Sequence, residues 1–279
     1  MVKYNFYFIT IIIIALFTGC SKNNFLSIHI IDVGQGDSIL IQTPTKKNIL
    51  VDGGDEDSYH IIRSYLRKNK IKSIDYIIAT HLDSDHIGSL DNIIDKFDVK
   101  KVYTPEQKVN TNSYKNLVSS CDNKNININY LYKDDYLKID EYIDLFILSP
   151  SYIQDDTNSN SIVFKLDYNN KSFLFTGDCT TSNELNIIEC FNLDDVDFLK
   201  VAHHGSSTST SVDFLNSTTP DIAAISCGYK NQYGHPHKSV LDNLSNSNTL
   251  IYRTDLLGDI VFYSDGKTIF TKKNYDYIK

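Results

Sequence analysis

The sequence has 279 residues, enough for one large hydrophobic core or two modest ones, and its 41% hydrophobic and 22% charged residues exclude a disordered chain. The formal net charge of -8 argues against a broad basic surface that binds nucleic acid by releasing counterions. A polyanionic substrate would therefore need local positive charge, most simply from metal ions.

The N-terminal segment has the features of an export signal. Lys3 precedes an apolar run at residues 6–17, which is short for a permanent transmembrane helix but typical of a signal-peptide core. The run ends in Leu-Phe-Thr-Gly-Cys20, which resembles the bacterial lipobox, where cleavage precedes a cysteine that carries lipid. We expect residues 1–20 to be a lipoprotein-type signal peptide and Cys20 to be the site of lipid attachment. The protein would then be an exported, membrane-anchored lipoprotein facing the extracellular or periplasmic side; the alternative, an uncleaved N-terminal anchor, also implies export.

Residues 21–279 are expected to form one folded domain, because no low-complexity linker divides them. Short apolar runs broken by Gly and Asp predict many strands with helices between them. Two strand-rich halves favour two sheets packed face to face with helices outside, which is an α/β (α+β) fold arranged as a four-layer αββα sandwich. The predicted strands are residues 27–33, 38–42, 48–52, 74–79, 99–103, 142–148, 161–167, 171–176, 196–202, 222–226, 250–253, 259–263 and 267–270, and the predicted helices are residues 59–69, 89–97, 113–120, 184–190 and 239–244.

The densest group of potential metal ligands directly follows the predicted strand 74–79. It contains His81, Asp83, Asp85 and His86 within six positions. Alternate side chains of a straight strand point to opposite faces, so a tight loop after the strand is needed to gather these groups. A lone histidine here would more often be an exposed polar residue, but this density of nitrogen and oxygen ligands indicates a metal site.

Other polar groups also follow predicted strands. Each has a plain interpretation as a turn or a strand cap when taken alone. Together they predict a metal centre, because coordination requires ligands from several strand ends whose geometry a rigid sheet fixes. These groups are Asp52-Gly53-Gly54, Thr176-Gly177-Asp178, His203-His204-Gly205-Ser206 and Tyr233-Gly234-His235-Pro236-His237. The four cysteines after Cys20 have no paired spacing, so neither a disulfide scaffold nor a thiolate zinc site is indicated.

The spacing Thr-His-x-Asp-x-Asp-His-x-Gly, with a downstream Thr-Gly-Asp and a later His, resembles the metallo-β-lactamase fold superfamily. More narrowly, four segments look like the soluble hydrolase domain of the ComEC-type competence DNA-uptake channels, and the similarity covers nearly all of residues 26–270. Those channels also have a large polytopic membrane part, so we expect a stand-alone exported relative. The segments are DVGQGD at 32–37, LKVAHHGS at 199–206, YGHP at 233–236 and YRTDLLG at 252–258.

The resemblance implies two divalent metal ions, Zn²⁺ or Mn²⁺. His81 and Asp83 would hold one ion, Asp85 and His86 the other, and Asp178 would bridge them. One of His203 and His204 would complete the second site, and the sequence leaves open which. Asp83 stands where many members of the superfamily have His, and Asn-Ser-Asn-Ser at 158–161 stands where a further His is usual. We therefore expect one site to be weak, and oxygen ligands to let Mn²⁺ compete with Zn²⁺.

The resemblance also implies a metal-dependent hydrolase, a phosphodiesterase or nuclease that uses a metal-bound hydroxide, with DNA strands as the substrate suggested by the family. Asp85, His235 and His203 are the candidate catalytic residues: Asp85 to orient the attacking water, and His235 with the non-ligating histidine to stabilise charge or protonate the leaving oxygen.

Further residues are expected to support the ligands or contact substrate, namely Asp52, Asn160, Ser161, Ser206 and Arg253. Asp52 would hydrogen-bond the ligands or hold its own turn, and Arg253 would face substrate or pair with Asp255. Lys200 is interpreted simply as part of a strand, whereas Asp32 and Asp37 are expected to order their glycine-rich turn.

Two other functions compete with a nuclease. One is an esterase for a cell-wall or lipid phosphodiester of the choline-phosphate type, which the acidic net charge favours. The other is a non-catalytic surface-binding lipoprotein, against which the seven intact ligand-type residues argue. Hydrolysis of β-lactams is disfavoured because the imidazole-rich zinc pocket is incomplete.

Overall fold

The computed structural model describes residues 25–275. The predicted signal peptide and Cys20 lie outside these residues. Within the described part, no helix is both long and apolar enough to cross a membrane.

This part of the chain contains fifteen strands, eight α-helices and three short 3₁₀ helices. The strands are β1 (Leu26–Ile30), β2 (Ile39–Gln42), β3 (Asn48–Val51), β4 (Ser73–Ile78), β5 (Asp98–Thr104), β6 (Ile128–Tyr130), β7 (Tyr136–Lys138), β8 (Asp144–Ser149), β9 (Val163–Tyr168), β10 (Lys171–Phe175), β11 (Phe198–Lys200), β12 (Ile222–Ile225), β13 (Leu250–Arg253), β14 (Ile260–Ser264) and β15 (Ile269–Phe270). The helices are α1 (Tyr59–Lys68), α2 (Ser84–Ile87), α3 (Leu90–Lys96), α4 (Asn112–Asn123), α5 (Thr181–Cys190), α6 (Val212–Thr218), α7 (Lys238–Asn246) and α8 (Thr254–Leu257).

The strands form two sheets. The first has the order β15-β14-β1-β2-β3-β4-β5-β6 and the second β13-β12-β11-β10-β9-β8-β7. The chain opens with antiparallel hairpins, as predicted, and β3 to β6 then run parallel. In the second sheet β10 to β13 are parallel. Parallel strands end at the same edge, so each sheet presents several strand ends, and the loops that follow them, at one place.

Three hydrophobic clusters separate the layers. Between the sheets, five phenylalanines are at most 1% exposed, and each such side chain contributes roughly 1.5–3 kcal/mol through its burial. They are Phe164, Phe173, Phe175, Phe198 and Phe262. A second cluster includes side chains of α1, α3 and α4 with β4 and β5, and a third includes those of α5, α6 and α7 with β10 to β12. Helices therefore cover the outer face of each sheet, which confirms the four-layer αββα prediction.

Some elements differ from the sequence-based prediction. Helix α6 and the short edge strands β6 and β7 were not predicted, because their exposed residues interrupt the apolar pattern. The ligand-rich segment after β4 was predicted as a loop, but the turn containing Asp85 and His86 is the helix α2. Strand β14, near the end of the chain, pairs with β1 in the first sheet, a long-range contact that periodicity does not reveal.

Candidate metal centre

His86 lies in α2, and Asp52 fixes the orientation of its ring. Asp52 directly follows β3 in the left-handed conformation (φ 58°), which favours Asp and Asn over most other side chains. Its carboxylate accepts hydrogen bonds from the backbone N–H and the hydroxyl of Thr80, both at 2.7 Å. It also accepts the Nδ1–H of His86 at 2.8 Å, so Nε2 of His86 is the nitrogen left to bind a ligand.

Asp178 lies where the loops of the two sheets meet. It follows Gly177, whose φ is +50° and whose added Cβ would lie 2.9 Å from Cβ of Thr80, so the approach of the two loops requires glycine. The backbone N–H of Asp178 donates to Oγ of Ser161 at 3.1 Å. Its two carboxylate oxygens point to different histidines, with Oδ1 3.3 Å from Nε2 of His86 and Oδ2 3.4 Å from Nε2 of His204. The side chain of Asp178 thus faces the rings of His86 and His204 at the same time.

The pair His203-His204 follows β11 with both residues in the left-handed conformation, at φ 49° and 53°. Such residues cost of order 1–3 kcal/mol each and concentrate at functional sites. His204 is 1% exposed, and its Nδ1–H donates to the carbonyl of Ser226 at 3.1 Å, which leaves Nε2 facing Asp178. Nε2 of His203 lies 3.7 Å from Oδ2 of Asp178, and this side chain is 24% exposed. The geometry therefore favours His204 as the metal ligand and leaves His203 at the mouth of the site.

The remaining predicted ligands lie beside this group. Oδ2 of Asp85 is 3.4 Å from Nε2 of His204, so Asp85 faces the same place as His86, Asp178 and His204. His81 is fully buried with its ring centroid 4.0 Å from that of His86, and its Nε2 is 3.7 Å from Oδ2 of Asp83. Asp83 is 40% exposed. Of the two predicted metal sites, the one with His81 and Asp83 is therefore the more open.

A metal ion fits the donor atoms that these residues present. Among the described residues, ligand atoms of Asp37, His86, Asp178 and His204 all lie within 4.8 Å of one another. Leaving one buried polar atom without a partner costs about 1–3 kcal/mol, so several such atoms facing one another indicate a site that can bind a cation. Within this group and the adjacent His81, the buried side-chain atoms without a hydrogen-bond partner are Nε2 of His81, His86 and His204, Oδ1 of Asp178 and Oδ1 of Asp37.

The charges of the cluster also favour a cation at its centre. Burial alone would lower the pKa of His86 and of His204, but neighbouring carboxylates, chiefly Asp178, raise the pKa of both rings well above the usual value. Burial would raise the pKa of Asp178, and the same two histidines hold it well below its usual value. For Asp85, burial is likewise outweighed, chiefly by His204, and its pKa falls to about 2. The carboxylates thus attract positive charge, and a divalent cation that displaces the protons of the two rings would supply it.

Asp37, one of the four residues of this group, also forms a buried ion pair with Lys200, which links the loop between β1 and β2 to the second sheet. The Nζ of Lys200, in β11, donates to Oδ2 of Asp37 at 2.7 Å and to the carbonyl of Val201 at 3.0 Å. The side chains of Lys200 and Asp37 are 1% and 2% exposed. Asp37 was expected only to order its turn, and Lys200 only to belong to a strand. Asp32 does order the turn, since it accepts from the N–H of Gly34 at 3.1 Å.

His235 lies at the mouth of the centre, with its ring 5.7 Å from that of His203 and 6.3 Å from that of His204. Burial, followed by the neighbouring histidines, lowers the pKa of His235 to about 4. Its imidazole is therefore uncharged at neutral pH and can take part through hydrogen bonds rather than through positive charge. Burial also lowers the pKa of His203.

The other predicted residues have structural partners. Asp52 hydrogen-bonds His86 and Thr80, and Ser161 hydrogen-bonds the backbone of Asp178. Asn160 is buried and bonds the backbone of Gln154 and Asp156, so it holds its own loop. The backbone N–H of Ser206 donates to the carbonyl of His203 at 2.8 Å. Arg253 pairs with Asp255 through two hydrogen bonds at 3.0 and 2.6 Å, which is the second of its predicted roles.

A family model described as the metallo-beta-lactamase superfamily matches residues 31–229. This range includes every predicted metal ligand. The chain belongs to the metallo-β-lactamase superfamily. The same fold appears in the solved structure of the metallo-beta-lactamase fold protein YhfI from Bacillus subtilis, which is 13% identical with a TM-score of 0.54 over 86% of this chain and 100% of that one.

Curated relatives of this superfamily member include competence and recombination proteins. ComE operon protein 3 of Bacillus subtilis is 29% identical over 253 residues, which are 84% of this chain and 32% of that protein. Recombination protein 2 of Haemophilus influenzae is 31% identical over 254 residues, which are 88% of this chain and 30% of that protein. The chain thus spans about a third of the length of these two relatives. The resemblance to competence proteins that the motifs predicted is confirmed.

Proposed function

We propose that this metal-dependent hydrolase is a phosphodiesterase that cleaves DNA strands and binds two divalent ions, Zn²⁺ or Mn²⁺. The observation that carries the proposal is the convergence of His86, Asp178 and His204, whose ligand atoms are buried, face one another and are drawn from both sheets. Competence and recombination proteins among the relatives support DNA as the substrate.

The two ions would be held by different residues of the cluster. Asp85, His86 and His204 would bind the more enclosed ion, His81 and Asp83 the more open one, with Asp178 between them. When bound, such ions activate a water molecule as nucleophile and neutralise negative charge on the phosphoryl group.

The remaining residues have roles that do not require direct metal contact. Asp52 and the carbonyl of Ser226 hold the rings of His86 and His204 with Nε2 facing inward. The more exposed His203, with Nδ1 3.2 Å from the hydroxyl of Thr208, lies where a leaving oxygen can receive a hydrogen bond. His235 borders the same opening.

Hydrolysis of defined esters tests this proposal. The 279-residue chain is treated with EDTA and assayed on bis(p-nitrophenyl) phosphate, single-stranded DNA and a phosphocholine ester, before and after Zn²⁺ or Mn²⁺ is restored. We expect metal-dependent cleavage of the diester and of DNA that Asp178→Asn abolishes. The matched control is Asp167→Asn, since Asp167 is a carboxylate of β9 that is 50% exposed and pairs with Lys165. Bound metal without turnover on any ester would refute the proposal and favour a non-catalytic binding protein.

The net charge of -8 favours a second candidate, an esterase for choline-phosphate diesters, because an acidic surface repels polyanionic DNA more than a zwitterionic headgroup. In the same assay, cleavage of the phosphocholine ester with DNA left intact would select this second function.

We also propose that the protein is exported and held at the membrane by lipid on Cys20, with the metal centre on the extracellular or periplasmic side. The apolar run at residues 6–17 and the lipobox-like segment that ends at Cys20 support this location.

A further inference from the structure

A loop at the mouth of the metal centre presents two exposed tyrosines. We call residues 228–237, which follow β12, the Tyr loop. Asn231 determines its shape: its side-chain amide donates to the carbonyls of Gly228 and His235 at 2.9 and 2.6 Å, and its oxygen accepts from the N–H groups of Tyr233 and His235 at 3.1 and 3.0 Å. The loop is therefore a folded feature that holds its side chains in place.

One of these tyrosines extends a series of rings that begins in the metal centre. The ring of His235 lies 6.3 Å from that of His204 at an interplanar angle of 30°, and Tyr233 stacks on His235 at 5.6 Å and 22°. Tyr233 is 55% exposed, so much of its ring surface is accessible to another flat group. A planar ligand stacked on Tyr233 would lie next to a group bound at the metal centre.

A positively charged lysine lies beside the other tyrosine. Tyr229 is 68% exposed, and the ammonium group of Lys230 lies 5.2 Å from the centre of its ring. Lys230 thus already makes a cation–π contact with this ring, so a quaternary ammonium ligand such as choline would have to displace Lys230. A phosphate group, in contrast, would gain from the lysine. Aromatic rings combined with positive charge are typical of sites that bind single-stranded nucleic acid.

We propose that the Tyr loop is a subsite for the nucleotide next to the cleaved phosphate, with Tyr233 stacked on its base and Lys230 in contact with the backbone phosphate on its far side. The inference rests on the proposed phosphodiesterase function and specifies how its substrate is recognised. Stacking accepts every base, so the subsite selects single-stranded nucleic acid over small esters without selecting a sequence.

Binding of two strands that differ only in their bases tests the subsite without requiring turnover. Fluorescence anisotropy in EDTA measures the affinity of the 279-residue chain for a labelled thymidine oligonucleotide and for an abasic strand of the same length. We expect the thymidine strand to bind at least about fivefold more tightly, the lower limit of what stacking of one base provides. Tyr233→Ala should remove this preference and leave the affinity for the abasic strand unchanged.

Three further variants separate stacking from other effects. Tyr233→Phe keeps the ring and should keep the preference. Tyr142→Ala is the matched control, because Tyr142 is similarly exposed, at 49%, but lies away from the metal centre. Its neighbour Asp140 accepts a hydrogen bond from Thr45, which precedes β3, whereas Asp52 of the centre follows β3 at the other end of that strand. Lys230→Gln should weaken binding of both strands and reduce the slope of log affinity against log salt by about one.

Two results would overturn the proposal. One is an equal affinity of wild type and Tyr233→Ala for the thymidine strand. The other is displacement of that strand by phosphocholine from wild type but not from Tyr233→Ala, which would make the loop a choline site. Hydrolysis is measured separately with metal restored, so a protein that binds the base but cleaves nothing refutes the phosphodiesterase and retains the subsite.

Discussion

Replacing Lys200 by methionine should destabilise the fold by about 3–5 kcal/mol, because it leaves the carboxylate of Asp37 buried without its partner. The two groups are 2.7 Å apart, and both side chains are at most 2% exposed, so water cannot take the place of the ammonium group. Domains of this kind have a total stability of roughly 5–15 kcal/mol, so the loss is a large fraction of it.

A double variant, Lys200→Met/Asp37→Asn, removes the charge of Asp37 as well as that of Lys200. Asp37→Asn keeps the shape of the side chain, so the double variant Lys200→Met/Asp37→Asn contains no buried unpaired charge. We expect it to be more stable than Lys200→Met alone by at least about 2 kcal/mol, since the penalty comes from the unpaired carboxylate rather than from the lost contact.

Urea unfolding of the EDTA-treated wild type, the two single variants and the double variant gives these values as a double-mutant cycle. The control is Lys238→Met, which removes an ion pair with Asp242 whose side chains are 85% and 54% exposed, and which should leave stability unchanged within error. A double variant no more stable than Lys200→Met would show that the pair does not act as a buried ion pair.

Three other predictions follow from single contacts. Asp52→Asn should lower metal affinity about 10- to 100-fold, as measured by competition with a chelator, because the amide holds the Nδ1–H of His86 less strongly than the carboxylate does; unchanged affinity would contradict this role. Burial, with a smaller effect from Lys272, lowers the pKa of His29 from 6.5 to about 4. Between these two pH values the unfolded chain binds a proton at His29 that the folded chain does not, so the contribution of His29 to stability is lost as the pH falls from 6.5 towards 4. When the pH is lowered from 7 to 5, the free energy of unfolding of His29→Gln, measured in urea, should therefore fall by about 2 kcal/mol less than that of wild type. An equal fall in both proteins would exclude this explanation. Cys20→Ser should prevent labelling of the protein by radioactive palmitate in cells, and retained labelling would place the lipid elsewhere.

Much of the metal centre could be predicted from the sequence because its ligands follow strands whose apolar runs are easy to recognise. The His and Asp residues after β4, Asp178 after β10 and the histidine pair after β11 all lie where this pattern placed them. The choice between His203 and His204 could not be made, because it depends on two successive left-handed residues that turn one ring inward and leave the other at the mouth.

The pairing of Asp37 with Lys200 was beyond sequence reasoning for a different reason. The two residues are separated by 163 positions. Asp37 lies in the loop between β1 and β2 of the first sheet and Lys200 in β11 of the second, so only the packing of the sheets brings them together. The position of Asp37 after a glycine-rich turn was a visible signal, since Gly36 lets the turn approach Asp85 so closely that an added Cβ would lie 2.4 Å from its carbonyl oxygen. That signal indicates a close approach without identifying the partner.

The central claim is that the buried cluster around Asp178 and His204 binds a divalent ion. Equilibrium dialysis against Zn²⁺ or Mn²⁺, followed by elemental analysis, measures this directly in wild type, His204→Asn and His203→Asn. We expect wild type and His203→Asn to retain the ion of the enclosed site and His204→Asn to lose that ion, because of these two histidines only His204 is held with Nε2 in the enclosed site. A His204→Asn variant that binds as many ions as wild type, each with wild-type affinity, would contradict the account.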